Sequence, residues 1–98
     1  MTTDRDRLGL STREAGWILT LSEPRVRRLL AQGLLQWVGG PGRIDPHSVR
    51  RMIQPDPTSA LRHAAVTYVL AGRVSVPAPA TRNATPISIT ELPRLIRT

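Results

Sequence analysis

Apolar positions along the first half of the chain recur at helical spacing, then at alternating spacing, then at helical spacing again. Ala15, Ile18 and Leu19 share one helical face behind Ser11-Thr12-Arg13-Glu14. In that tetrad Ser11 fits a cap and Glu14 can reach back to it, so a helix is predicted from about Thr12 to Leu19. Gly16 weakens this helix slightly and leaves room for another backbone to approach. Thr20 and Leu21 break the pattern. Ser22 caps a second helix, with Glu23 and Pro24 in its first turn, where a carboxylate and a missing N–H are both favourable. Val26, Leu29 and Leu30 give it an inward face, and Gly33 ends it, so it is predicted from about Glu23 to Gln32. Leu34 to Val38 reads as a short strand, Gly39 to Gly42 as a turn, and Arg43-Ile44 as the return strand. Asp45 and Pro46 open a third helix with Val49, Met52 and Ile53 inward and Arg50 and Arg51 outward. Pro55 and Pro57 stop it.

The second half is less periodic. Thr58 to Ala71 is apolar on most sides and is predicted helical, although Val66 to Leu70 also fits a strand. Such breadth requires burial, either on the preceding helices or in a dimer. Arg73 to Pro86 holds Pro77, Pro79 and Pro86 among small residues and reads as a linker. Thr90 fits the cap of a last helical turn or two over Glu91 to Arg97. Ile87, Ile89, Leu92, Leu95 and Ile96 form an apolar patch that needs a surface to cover it. The chain divides into a loose N-terminus (1–9), a DNA-binding unit laid out as a winged helix-turn-helix (10–54) and a C-terminal extension (55–98). The expected fold class is mainly α, with a small β-hairpin wing and a helical C-terminal extension.

Charge changes the picture more than size does. Fourteen arginines and no lysine face seven acids, a net charge of +7 on 98 residues. A GC-rich genome accounts for arginine in place of lysine, but not for the excess. An excess of this size points to a polyanion, and the planar guanidinium suits phosphate and guanine. The absence of cysteine excludes disulfides, thiolate metal sites and thiol nucleophiles. His47 and His63 have no partners at metal-ligand spacing, so no metal and no cofactor is expected. There is no apolar run of membrane-spanning length and no secretory pattern in MTTDRDRLGL, so the expectation is a cytoplasmic protein with no membrane partner.

The local feature with most content is the second helix. With Val26, Leu29 and Leu30 inward, Arg28 lies nearly opposite that face, Arg25 and Arg27 flank it, and Gln32 lies near Arg25. The ordinary alternative is a solvated helix face. The helix-turn-helix layout and the net charge favour DNA contact instead.

Through Leu10 to Ile53 the chain resembles the excisionase-like helix-turn-helix family, which is close to the DNA-binding domain of MerR-type regulators. The resemblance rests on LSTREA opening the first helix, the serine-capped second helix with VRRLL, Gly33-Leu34, the Gly-containing turn, and RIDPHSV entering the third helix. It covers about 44 of 98 residues. It implies that the second helix enters the major groove and that the wing reaches the neighbouring minor groove or its phosphates. By that resemblance Glu23, Arg25, Arg27 and Arg28 are the base-reading and phosphate-gripping candidates, and Arg43 a wing contact. Thr12 and Arg13 would meet a backbone phosphate, as helix N-termini generally do. Two positions depart from the family pattern. Thr20 stands where a glycine is usual, which predicts a wider turn. Trp17 stands where a polar residue is usual, which predicts packing against the C-terminal extension or, alternatively, a protein partner there.

The partner expected is double-stranded DNA, bound by a homodimer or a cooperative array. Two roles fit equally, an excisionase-like recombination directionality factor and a phage or prophage transcriptional regulator. The rival reading is a partner-binding protein, antitoxin-like or a phage assembly component, acting through Trp17 or residues 58–98. Arg62-His63 with Tyr68 is too small a part of a tyrosine recombinase site to carry catalysis, and no phosphate loop, paired carboxylates or Ser/His/Asp set stands out, so a non-enzyme is expected.

Overall fold

The computed structural model describes residues 9–39, 42–74, 76 and 88–96. Among them the fold is mainly α-helical: α1 (Thr12–Leu19), α2 (Glu23–Ala31), α3 (Pro46–Met52), α4 (Ser59–Leu70), a 3₁₀ turn (Ile89–Glu91) and α5 (Leu92–Leu95).

Each early helix begins where its cap residue stands. Ser11 Oγ accepts the Glu14 amide at 3.1 Å while Glu14 Oε1 accepts the Ser11 amide at 2.9 Å, the reciprocal capping box expected. Ser22 Oγ accepts the Arg25 amide at 3.4 Å, and Asp45 Oδ1 accepts the His47 amide at 3.0 Å. The start of α4 is held differently. Thr58 makes no side-chain cap bond; instead Asp56 Oδ1 accepts both its amide (2.8 Å) and its hydroxyl (2.6 Å).

The turn after α1 is tight rather than wide. Thr20 itself takes the left-handed conformation (φ 61°) that glycine would supply. A side chain there costs about 1–2 kcal/mol. The Leu21 amide then bonds back to the Gly16 carbonyl at 2.8 Å, and the Thr20 amide to the Trp17 carbonyl at 3.3 Å. This is a Schellman-type closure. Gly16 is required by it, because a Cβ at Gly16 would lie 2.6 Å from the Leu21 carbonyl oxygen. The backbone that approaches Gly16 is therefore the chain's own turn.

The segment expected as a strand from Leu34 does not start there. The amides of Leu34 and Leu35 bond to the Leu29 carbonyl at 3.0 and 3.2 Å, finishing α2. Pairing begins at Gln36, whose carbonyl accepts the Asp45 amide at 2.7 Å, and the Val38 amide donates to the Arg43 carbonyl at 2.8 Å. Among the described residues no strand forms; there are two isolated antiparallel bridges, Trp37 with Ile44 and Leu10 with Ile44. The second was not foreseen. Leu10 and Ile44 exchange both backbone hydrogen bonds, at 2.9 and 2.7 Å, and both side chains are fully buried. Gly9 sits against this pairing so closely that a Cβ there would lie 2.7 Å from Val38 Cγ1. Residue 9 is thus packed, while the expectation for residues 1–8 lies outside the described residues.

One apolar cluster unites these elements. Leu10, Ala15, Ile18, Val26, Leu35, Ile44 and Val49 join Ala65, Val66 and Val69 of α4, and then Val74, Ile89 and Leu92. The apolar breadth of α4 is explained by its neighbours, since it packs on α1, α3 and the 3₁₀ turn. Trp17 is half-buried against the same cluster. Three further expectations need correction. Val74, placed in the linker, is a core residue; Pro77 to Pro86 lie outside the described residues. The terminal cap is Ser88 rather than Thr90: Ser88 Oγ accepts the Thr90 amide at 3.3 Å. Arg50, expected outward, turns onto α4, because acceptors stand there. Among the described residues no helix is long and apolar enough to cross a membrane.

Candidate nucleic-acid interface

Two hydrogen-bonded ties bring the arginine-bearing segments together. Thr12 Oγ1, in the first residue of α1, donates to Glu23 Oε1, in the first residue of α2, at 2.8 Å. The two helix N-termini therefore converge, and both carry partial positive charge. The Leu10–Ile44 bridge sets Arg43 and Ile44 beside the start of α1, and a Cβ on Gly9 would lie 2.9 Å from Arg43 Cβ. Arg43 is thus anchored through its backbone two residues from the Ser11 cap.

On α2 the buried side chain is Val26, and Arg25, Arg27 and Arg28 are exposed. At about 100° per residue Arg25 and Arg28 project about 60° apart on the outward surface. Arg27 leans towards Glu23 and forms an i,i+4 ion pair at 3.8 Å. That pair is solvated and contributes little stability. Glu23 Oε1 thereby serves both Thr12 and Arg27. Its role is to hold these two side chains, and the Thr12 hydroxyl is already committed to it, so a phosphate at this helix start would compete with Glu23.

The remaining arginines of this region are different. Among the described residues, the side chains of Arg13, Arg25, Arg28 and Arg43 have no hydrogen-bond or ion-pair partner, and all four are exposed. Gln32, the residue that ends α2, is exposed as well. Counting Arg27, five arginines face only two glutamates here, and both glutamates are occupied, Glu14 in the capping box and Glu23 as above. Guanidinium groups so placed can each donate to phosphate oxygens, or two donors at once to the O6 and N7 of guanine.

Away from this region Arg50 and Arg73 are used by the fold and Arg51 is not. Arg50 Nη1 donates to the His63 carbonyl at 3.1 Å and lies 3.2 Å from His63 Nδ1, and Nη2 donates to Thr67 Oγ1 at 2.9 Å. Arg73 lies 5.2 Å from the centre of the Tyr68 ring, a cation–π contact. Arg51 on α3 is exposed and, among the described residues, unpartnered. Among the described residues no cluster of three His, Asp or Glu could hold a metal ion.

Two exposed apolar side chains escaped the sequence reading. Leu34 is 55% and Trp37 44% exposed. The strand reading of Leu34 to Val38 did not show this, because Leu34 closes α2 and Trp37 lies in a single bridge rather than in a strand. Comparison with known protein families, curated proteins and solved structures found no match to this chain.

Proposed function

We propose that this protein is a small sequence-specific DNA-binding protein of the winged helix-turn-helix type, with α2 in the major groove and the Gln36–Asp45 hairpin as the wing. The observation that carries the reading is the set of unpartnered, exposed arginines, Arg13, Arg25, Arg28 and Arg43, gathered by the Thr12–Glu23 and Leu10–Ile44 ties. Arginine–phosphate contacts supply most of the affinity, and binding weakens steeply with salt. Specificity comes from α2, where Arg25 and Arg28 both grip phosphates and reach base edges. The two roles that fit are an excisionase-like recombination directionality factor and a phage or prophage transcriptional regulator. The partner-binding alternative has less support, because the apolar faces of α4 and of the terminal turn lie against the core rather than outside it.

A footprint of the full chain on the DNA flanking its own gene tests the reading. Protection of a two-fold symmetric site identifies a dimeric regulator. Protection of tandem sites about one helical turn apart identifies a cooperative, architectural factor. Absence of discrete protection at low salt overturns sequence-specific binding. On the protected site Arg28→Ala is expected to weaken binding by about 1–3 kcal/mol if Arg28 reads a base. An equal loss on random duplex makes Arg28 a phosphate contact.

A further inference from the structure

The helix that follows the helix-turn-helix reaches back into its turn. From α4, Arg62 Nε donates to Thr58 Oγ1 at 2.9 Å, which braces the side chain along its own helix. Arg62 Nη1 then donates to the Ile18 carbonyl and, at 2.7 Å, to Thr20 Oγ1. Both acceptors belong to the end of α1. The last carbonyls of a helix have no intrahelical donor, and α1 has no basic residue in its last turn. Arg62 supplies both the missing donor and the missing positive charge.

Thr20 is the one non-glycine residue with positive φ among those described, and its hydroxyl is the group that Arg62 holds. Glycine would adopt this conformation freely. Threonine adopts it here with an external brace. Two residues later Ser22 starts α2, so the direction of α2 is set by this turn.

We infer that Arg62 is a positioning residue for DNA reading: by fixing Thr20 in the left-handed turn it sets the direction of α2, and with it the register in which Arg25 and Arg28 meet the duplex. The inference rests on the DNA-binding reading above. It makes α4 a working part of the DNA-reading unit rather than a separate appendage.

The test is a four-chain cycle: the full-length protein, Arg62→Ala, Thr20→Gly, and both together. Affinity is measured on the footprinted duplex and on a random duplex of equal length at one salt concentration. Melting curves fix a temperature at which all four chains are folded. Arg62→Lys, which keeps the cation but loses the fork, is a fifth chain in case Arg62→Ala does not fold. The expected result is a loss of about tenfold in the specific-to-random affinity ratio for Arg62→Ala, with random binding nearly unchanged because its phosphate contacts remain. In the Thr20→Gly background the same substitution should cost several-fold less. A lowered melting temperature with an unchanged ratio would make Arg62 a packing residue and overturn the inference, as would an equal loss in both backgrounds. If the unmodified chain binds no duplex, the DNA reading itself falls; the four melting curves still show whether Arg62 and Thr20 are coupled.

Discussion

On α3, on α4 and just after it, three arginines are fastened into the fold, while Arg51 on α3 is exposed and unpartnered among the described residues. Arg50 bridges to His63 and Thr67, Arg62 closes the end of α1, and Arg73 lies over Tyr68. On α1, on α2 and beside the Ile44 bridges, Arg13, Arg25, Arg28 and Arg43 have no such partner among the described residues. The residue type is the same, and the chain contains no lysine to mark one set off from the other. What differs is the supply of acceptors. The end of α1 and the exposed face of α4 offer carbonyl and hydroxyl oxygens, and a guanidinium with five donors in a fixed fork joins several of them at once. Around the converging N-termini of α1 and α2 the backbone offers N–H groups, which are donors. Five arginines there face three carboxylates, Glu14, Glu23 and Asp45, each engaged by a backbone amide or a side chain, so the local charge stays positive and favours a polyanion. Net charge alone does not separate a stapling arginine from a binding one; the local balance of donors and acceptors does.

This contrast can be broken most forcefully by charge reversal. Arg25→Glu with Arg28→Glu changes the charge of the α2 surface by four. It should reduce duplex affinity at least about 100-fold at low salt while the melting temperature stays nearly constant. A comparable loss of stability would show that these side chains hold the fold after all. Removing a staple should do the reverse. Arg50→Ala deletes the α3–α4 bridge in a solvated setting and is expected to cost about 1 kcal/mol of stability, read by denaturant titration, with duplex affinity within about twofold of the parent. Weakened binding without destabilisation would move Arg50 to the other set.

The smallest effect concerns acid. The Asp56 carboxyl is held below its ordinary pKa, first by the Thr58 hydroxyl and then by the Thr58 amide, with Arg62 adding attraction. A depressed folded pKa means that this contribution is fully present above the ordinary value of 3.8 and is lost as pH falls through the lower folded value. Melting curves between about pH 5 and pH 2 should show a slightly steeper loss for the parent than for Asp56→Ala. Parallel curves would show that Asp56 does not brace the start of α4.

The helices of the first half could be read in advance because their signals are local. Ser11 with Glu14, Ser22 with Pro24, and Asp45 with Pro46 each state a helix start within four residues, and the structure places α1, α2 and α3 on them. The inward placement of Val26 and the outward placement of Arg25 and Arg28 followed from helical period alone. What escaped depends on distant partners. The pairing of Leu10 with Ile44 is a single bridge 34 positions apart, with no strand pattern around Leu10. The left-handed turn at Thr20 carries a β-branched residue where local rules ask for glycine, and its brace comes from α4. Arg50 and Arg62 look no different in sequence from Arg25 and Arg28. Their roles became visible only when their acceptors were in place. Ser88 displaced Thr90 as the last cap because both are competent caps two residues apart, and sequence offers no basis for choosing between them.

The proposed function assigns one set of arginines to DNA and leaves the other to hold the fold. Its most direct test is the salt dependence of duplex binding for three chains: the parent, Arg25→Gln with Arg28→Gln, and Arg50→Gln. Four arginine–phosphate contacts give a slope of log affinity against log salt of about −3.6. The account predicts that value for the parent and for Arg50→Gln, and a slope shallower by about 1.8 for the double variant, with melting unchanged. Equal slopes in all three chains, or a shallower slope for Arg50→Gln alone, would contradict it.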